Sequence, residues 1–345
     1  MKTGFTIVLV LFCLSAVYGQ EVVFLHHSTG YWLYDQGNVS DWINDYNLTN
    51  QTNYQITERF YPDIPYPWAN YPYDYWNLWI NDECDNSDPD IECLDKLSQD
   101  YDVIIFKHCF PGAQVVPDEG NPSISSSTKS LENYKLQYRA LRSLMDSYPD
   151  NKFIVWTLVP LHRLDTNAEN AARARDFVDW VKTTWLTEDG LPHPNIYLFD
   201  FFGYAAESNS NPENGQVNCL KYEYEKSHTD QDSHPNELAN QTIGPIFAEF
   251  IVNTIESSSS SVELFTSELS IYPNPSDGKL IIDIDNEAGE FTLEIISVTG
   301  SVELQNNIYM SGEPMPLDFD DYASGIYFIR LYNDENLFEG KLSLD

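Results

Sequence analysis

The sequence predicts an α/β protein, a three-layer, doubly wound parallel sheet, with a second, small β-sandwich domain at its C-terminal end. Three observations predict it. Over the first two-thirds of the 345 residues, short apolar runs alternate with segments whose apolar positions recur every three and four residues. An unbroken serine run at 257–261 then interrupts the chain, and beyond it the pattern changes to short period-two strands separated by turn signals.

The first residues, Met1-Lys2, an apolar core at 5–17 containing Cys13, and then Tyr18-Gly19-Gln20, have the charged, apolar and small-residue order of a secretory signal peptide. We read 1–20 as that signal. The apolar run falls short of the roughly 20 residues a spanning helix needs, so no membrane insertion is expected after signal removal. Residues 21–256 form the first domain. In it, strands are expected at 22–26, 54–60, 103–106, 153–158 and 196–199, and helices at 131–148, 167–186 and 236–255. Strands alternating with helices give a parallel sheet covered on both faces. Ligands of such sheets bind beyond the carboxyl ends of the strands, which singles out Ser28, Lys107 to Cys109, Leu161-His162 and Asp200. The serine linker, 257–262, cannot bury apolar surface. After it, at 263–345, strands are expected at 269–272, 279–284, 291–297, 325–332 and 340–344, with turns at Asp277-Gly278 and Thr299-Gly300.

With 54 acidic against 18 basic residues the formal charge is −36, which excludes nucleic acid and anionic membrane surfaces as partners through long-range repulsion. Cys84, Cys93, Cys109 and Cys219 remain after the signal. In an oxidising compartment Cys84 and Cys93, flanking an acidic loop, make the obvious disulfide, and Cys109 is expected to be buried or paired with Cys219. Neither pair has C-x-x-C spacing and no two histidines stand at metal-binding helical spacing, so no metal and no other cofactor is expected.

Ser28 follows a strand, Val22-Val23-Phe24-Leu25-His26-His27, and a serine hydroxyl becomes a nucleophile only beside a base and oxyanion donors. A base is offered far along the chain in Asp230-Gln231-Asp232-Ser233-His234-Pro235-Asn236, just before the last helix. There His234 could take the Ser28 proton, with Asp232 preferred over Asp230 as its orienting partner. The alternatives are a strand-end turn at Ser28 and a helix-entry residue at His234.

The order of elements and these two blocks resemble SGNH (GDSL-like) hydrolases across nearly the whole first domain. The resemblance implies Ser28 as nucleophile, His234 as base, a nearby aspartate as its partner, and the flavodoxin-like SGNH fold. The first block departs from Gly-Asp-Ser, since His26-His27 precede the serine, and Asp-x-His replaces the usual aspartate three residues ahead. The family's oxyanion glycine and asparagine are replaced by Lys107-His108-Cys109-Phe110-Pro111-Gly112. Their stand-ins would be the Lys107 ammonium, the His108 ring or amides near Gly112, with His27 a further residue behind the site, and His162 and Asp200 are expected to support rather than react. Between the first and third strands, a proline- and aromatic-rich segment that includes Tyr73, Trp76 and Trp79 could stack on sugar rings or pack as a long loop over the sheet.

A second resemblance lies downstream. Tyr272-Pro273-Asn274-Pro275-Ser276-Asp277-Gly278, Val298-Thr299-Gly300 and Ser324-Gly325-Ile326-Tyr327-Phe328-Ile329-Arg330-Leu331 resemble the C-terminal sorting domain of the type IX secretion system. This implies handling by that machinery in a Bacteroidota-type bacterium and a secreted or cell-surface destination. Together the readings lead to a secreted serine esterase that deacylates, or more narrowly deacetylates, a carbohydrate. A catalytically inactive glycan-binding or adhesion protein on the same scaffold, or an acyltransferase, are the alternatives.

Overall fold

A computed structural model of the chain describes residues 19–257, 265–284, 288–297, 302–319, 322–333 and 336–344. The signal segment, most of the serine linker and the Thr299-Gly300 turn lie outside the described residues. The chain divides into two compact units, Met1–Ser257 and Ser258–Asp345.

The first unit runs β1 (Gln20–His26), α1 (Ser28–Gln36), α2 (Val39–Asn50), β2 (Tyr54–Phe60), α3 (Pro72–Trp79), α4 (Leu94–Asp100), β3 (Val103–Phe106), α5 (Leu131–Asp146), β4 (Lys152–Trp156), α6 (Ala168–Trp180), β5 (Ile196–Phe199), α7 (Phe201–Ala205) and α8 (Glu237–Glu256). The five strands are parallel in the order β2-β1-β3-β4-β5. Because side chains alternate across a strand, neighbouring residues feed opposite faces. Val23, Leu25, Ile104, Phe106, Phe153 and Val155 join one core, shared with α3, α4, α5 and α6. Val22, Phe24, Val103, Ile105, Ile154 and Trp156 join the other, shared with α1, α2, α7 and α8. The result is an α/β sandwich of three layers. Chain progression from β1 goes to β2 on one side, while β3 pairs with β1 on the other. The reversal creates a crevice at the carboxyl ends of β1 and β3.

Two segments differ from the sequence reading. Ser28-Thr29-Gly30, read as a polar turn, opens α1, and the aromatic segment read as a long loop contains α3. Pro72 stands at the first turn of α3, where its missing N–H costs nothing, and Asp74 accepts the Tyr71 and Ala69 amides at 3.3 and 2.9 Å. Tyr75, Leu78 and Trp79, spaced three and four apart, then face the core.

The second unit contains β6 (Phe265–Glu268), β7 (Ser270–Tyr272), β8 (Lys279–Asp283), β9 (Ala288–Ser297), β10 (Val302–Ser311), β11 (Met315–Asp318), β12 (Gly325–Tyr332) and β13 (Asn336–Leu344). A five-stranded sheet, β10-β9-β12-β13-β6, and a three-stranded one, β11-β8-β7, are antiparallel apart from the β13–β6 pair. Leu280 and Ile282 of the smaller sheet and Leu293, Ile329 and Leu342 of the larger share one core. Gly278, at φ 116°, makes the turn before β8.

Candidate active site

Strand β1 is buried from Val22 to His26, one residue, His27, intervenes, and Ser28 is the first residue of α1. This abrupt strand-to-helix step leaves Ser28 half-buried at the crevice. Gly30 makes the step possible: a Cβ there would meet the His26 Cβ at 2.5 Å and the Lys107 Cε at 2.8 Å. At the far end of α1, Gly37 lies against Gly244 of α8, backbone on backbone, and Asn240 Nδ2 donates to Gln36 Oε1 at 2.7 Å. These contacts seat α8 on α1, so the segment before α8 returns to the start of α1.

That segment delivers His234. Its Nε2 is 2.7 Å from Ser28 Oγ, and its Nδ1 is 2.5 Å from Asp232 Oδ1. A carboxylate only accepts, so Nδ1 carries the proton and Nε2 accepts from the Ser28 hydroxyl. Asp232 Oδ1 also accepts the His234 amide at 2.9 Å, and Lys226 Nζ stands 3.5 Å from Oδ2. Burial pushes the Asp232 carboxyl up, but the two His234 hydrogen bonds and the His234 and Lys226 charges outweigh it and hold it below the usual range. Asp230, the other aspartate considered, is exposed and accepts the adjacent Gln231 amide at 2.8 Å.

The histidine loop is braced from behind. Ser233 Oγ donates to Asp165 Oδ2 at 3.0 Å and accepts the His162 amide at 2.9 Å. His162 Nδ1 accepts the Leu164 amide at 3.1 Å, so its Nε2–H faces the Ser227 carbonyl at 3.0 Å and the buried Glu225 carboxylate at 3.1 Å. Asn236 caps α8 through the Ala239 amide, and its own amide group holds the Glu223 and Glu225 carbonyls. Asp200 is engaged with other partners, capping α7 through the Gly203 amide at 3.0 Å, accepting from Thr157 Oγ1 at 3.2 Å and pairing with Lys182.

The expected oxyanion donors are engaged elsewhere. Lys107 is fully buried, with Nζ directed to the His108 carbonyl at 3.4 Å. His108 Nε2 bonds Tyr138 Oη at 2.8 Å inside the core, where burial and the nearby Lys107 charge hold the ring neutral, its pKa lowered to about 3. The Gly112 amide donates to the Cys109 carbonyl at 2.9 Å, closing its own 3-10 turn. His27 donates from Nε2 to the Pro62 carbonyl at 2.6 Å and stacks on Trp68 at 3.5 Å, so it forms a wall and offers no donor; burial is the main cause of its lowered pKa of about 4. His26 faces Glu58 at 2.7 Å, and among the described residues no cluster of three or more metal-ligating side chains occurs.

One further expectation is corrected, and an alternative left open for the cysteines is decided. Trp76 and Trp79, 5% and 7% exposed, are core residues of α3, because the helical period turns them inward, and Tyr73 is half-buried against Trp76. Other aromatic rings meet residues of the site: Phe110 stands edge-on to the His234 ring at 4.8 Å, and Trp32, one helical turn beyond Ser28, has Lys226 over it at 5.6 Å. The i, i+4 spacing of Ser28 and Trp32 was the signal available in the sequence. Cys84 and Cys93 form a disulfide with Cα atoms 5.0 Å apart, but Cys109 and Cys219 are separate buried thiols. Cys109 lies beside Ser28, with Sγ 3.8 Å from Oγ, whereas Cys219 pairs through its backbone with Glu207.

Residues 270–344 match the family model of the secretion system C-terminal sorting domain. The protein is therefore a secreted or cell-surface protein exported by type IX secretion, and its second unit engages that machinery. The match leaves the unit holding Ser28 outside it. No curated protein sequence matches the chain. Among solved structures, the crystal structure of an engineered protein from a structural genomics consortium aligns over 89% of this chain and 68% of its own, at 9% identity and a TM-score of 0.23. A likeness at that level carries no argument.

Proposed function

We propose that the first unit is a serine esterase of the SGNH type that removes acyl groups, acetyl foremost, from a carbohydrate outside the cell. The observation that carries this reading is the continuous chain Ser28–His234–Asp232, in which a 2.7 Å contact joins Ser28 to His234, 206 residues away in sequence, and a 2.5 Å contact joins His234 to Asp232. The parallel sheet, the serine after its first strand and the Asp-x-His before its last helix support it.

In this mechanism Ser28 Oγ attacks the ester carbonyl carbon as His234 Nε2 takes the hydroxyl proton, and the carbonyl π electrons move to oxygen. The Ser28 amide, in the first turn of α1 where no intrahelical carbonyl can reach it, is a donor beside that oxygen. Collapse breaks the ester C–O bond, and the sugar alkoxide leaves with the proton from His234. Water then repeats the cycle on the acyl-serine. Asp232 holds the ring with Nδ1 protonated and stabilises the transient imidazolium. Phe110 against His234, and Trp32 one helical turn beyond Ser28, offer flat faces for a sugar.

The test is release of acetate from acetylated glycans, with p-nitrophenyl acetate as a simple ester, by wild type and Ser28→Ala. Hydrolysis that is lost in the variant supports the reading. Failure of the wild type on every acylated substrate, or equal rates for both proteins, overturns it. Product analysis with an added sugar acceptor separates hydrolysis from acyl transfer.

A further inference from the structure

We propose that Cys109 is a catalytic residue of this site, its S–H donating a hydrogen bond to the oxyanion formed on Ser28, with Lys107 buried behind it as the positioning residue that polarises it. The inference rests on the esterase reading above and supplies the donor that the turn after β3 otherwise lacks.

The geometry places the sulfur at the reacting atoms. Strands β1 and β3 are neighbours, and the residues leaving them meet in the crevice. Cys109 Sγ is 3.8 Å from Ser28 Oγ and 3.4 Å from Thr29 Oγ1. The carbonyl oxygen of a Ser28 adduct stands two bonds from Oγ, within reach of an S–H already in contact with the nucleophile. Either hydroxyl can exchange a hydrogen bond with the sulfur, and because the Ser28 hydrogen goes to His234 Nε2, the S–H is the hydrogen available between Cys109 and Ser28.

Lys107 has little else to do. It is 0% exposed, with Nζ 3.4 Å from the His108 carbonyl, and its charge acts on the Cys109 sulfur. A charge so enclosed cannot touch a carbohydrate, yet in a low-dielectric interior its field on an adjacent polarisable group is strong. The same influence appears in the thiol's pKa: burial alone would raise it, but the Lys107 charge and the hydrogen bonds shared with Thr29 and Ser28 outweigh burial and lower it. The second free thiol behaves oppositely. Cys219, under the Glu225 charge, is pushed up to about 12, chiefly by burial. In the reaction, the carbonyl electrons that move to oxygen on attack are met by the S–H, which stays bonded to sulfur throughout, and collapse returns them to the carbonyl.

The experiment is steady-state hydrolysis of p-nitrophenyl acetate by the full chain and its Cys109→Ala, Cys109→Ser, Lys107→Met and Cys219→Ser variants, each checked for folding by circular dichroism and thermal melting. Loss of one oxyanion donor predicts a kcat about 10²-fold lower for Cys109→Ala with KM within about twofold. Cys109→Ser, which keeps an O–H donor, is expected to recover a measurable part, Lys107→Met to lose kcat in the same manner, and Cys219→Ser to match the wild type. A folded Cys109→Ala with wild-type kcat overturns the inference, as does a loss in which serine performs no better than alanine, because packing alone would then account for it. If the wild type neither hydrolyses esters nor reacts with a fluorophosphonate, the esterase reading fails and takes this inference with it. An active wild type matched by Cys109→Ala removes this inference alone.

Discussion

Gly244→Ala tests whether helix packing far from the triad sets the Ser28–His234 contact. An added Cβ would lie 2.5 Å from Gly37 Cα and 2.7 Å from its carbonyl oxygen. That is at least about 1 Å closer than non-bonded carbon atoms approach, and neither neighbour can rotate away because both are backbone. Alanine in a helix gains about 1 kcal/mol over glycine, whereas overpacking of this kind costs about 1–3 kcal/mol. With backbone on both sides the upper end applies, for a net loss of about 1–2 kcal/mol. In a unit of this size that lowers Tm by about 2–8 °C. Relief comes from α8 moving off α1, which carries the 230–236 segment away and stretches a contact now at 2.7 Å beyond hydrogen-bond reach. Such a displacement is expected to slow fluorophosphonate labelling by about 10²-fold. Differential scanning fluorimetry and labelling kinetics on the same preparation read both effects. A variant that melts and labels like the wild type would refute the packing argument, and one that melts lower yet labels at full rate would refute the coupling.

Other outcomes follow from the same geometry. Asp232→Asn removes the charge that stabilises the His234 imidazolium, so kcat on p-nitrophenyl acetate should fall by about 10²–10⁴ with KM little changed, while Asp230→Asn stays at the wild-type rate. His27 and His108, with pKa values lowered to about 4 and about 3, remain neutral in the folded chain while the unfolded chain takes up their protons below about 6.5. The unfolded state then binds more protons, so stability should fall by several kcal/mol as pH drops from 6.5 to 4, seen as a declining Tm that flattens in part in His108→Gln. Reduction of Cys84–Cys93, which closes a short loop of sequence separation 9, should cost about 2–3 kcal/mol, measurable by urea titration with and without reductant.

The strands of the first unit were legible because each is a short apolar run bounded by polar residues, and α5 and α8 because their periodicity is long. Helix α1 was not. Ser-Thr-Gly-Tyr-Trp-Leu-Tyr-Asp-Gln has weak intrinsic helix preference, and the helix exists because Leu33 is buried in the core and Gly37 meets Gly244. Helix α3 hid behind prolines, although Pro72 at its first turn and the spacing of Tyr75, Leu78 and Trp79 announce it, and reading it as loop is what made Trp76 and Trp79 look available to a sugar. Ser28, His234 and Asp232 could be named because strand ends and helix entries are positions that sequence reveals. The donors around them could not, since Lys107, His108 and Cys109 are consecutive and differ only in where each side chain turns: beneath α1, toward Tyr138, or beside Ser28.

Intact-mass and peptide analysis after exposure to a fluorophosphonate tests the central claim most directly. A single covalent adduct on Ser28, lost in Ser28→Ala and strongly slowed in His234→Ala, is the predicted result. Unmodified wild-type protein, or an adduct at a residue other than Ser28, would contradict it.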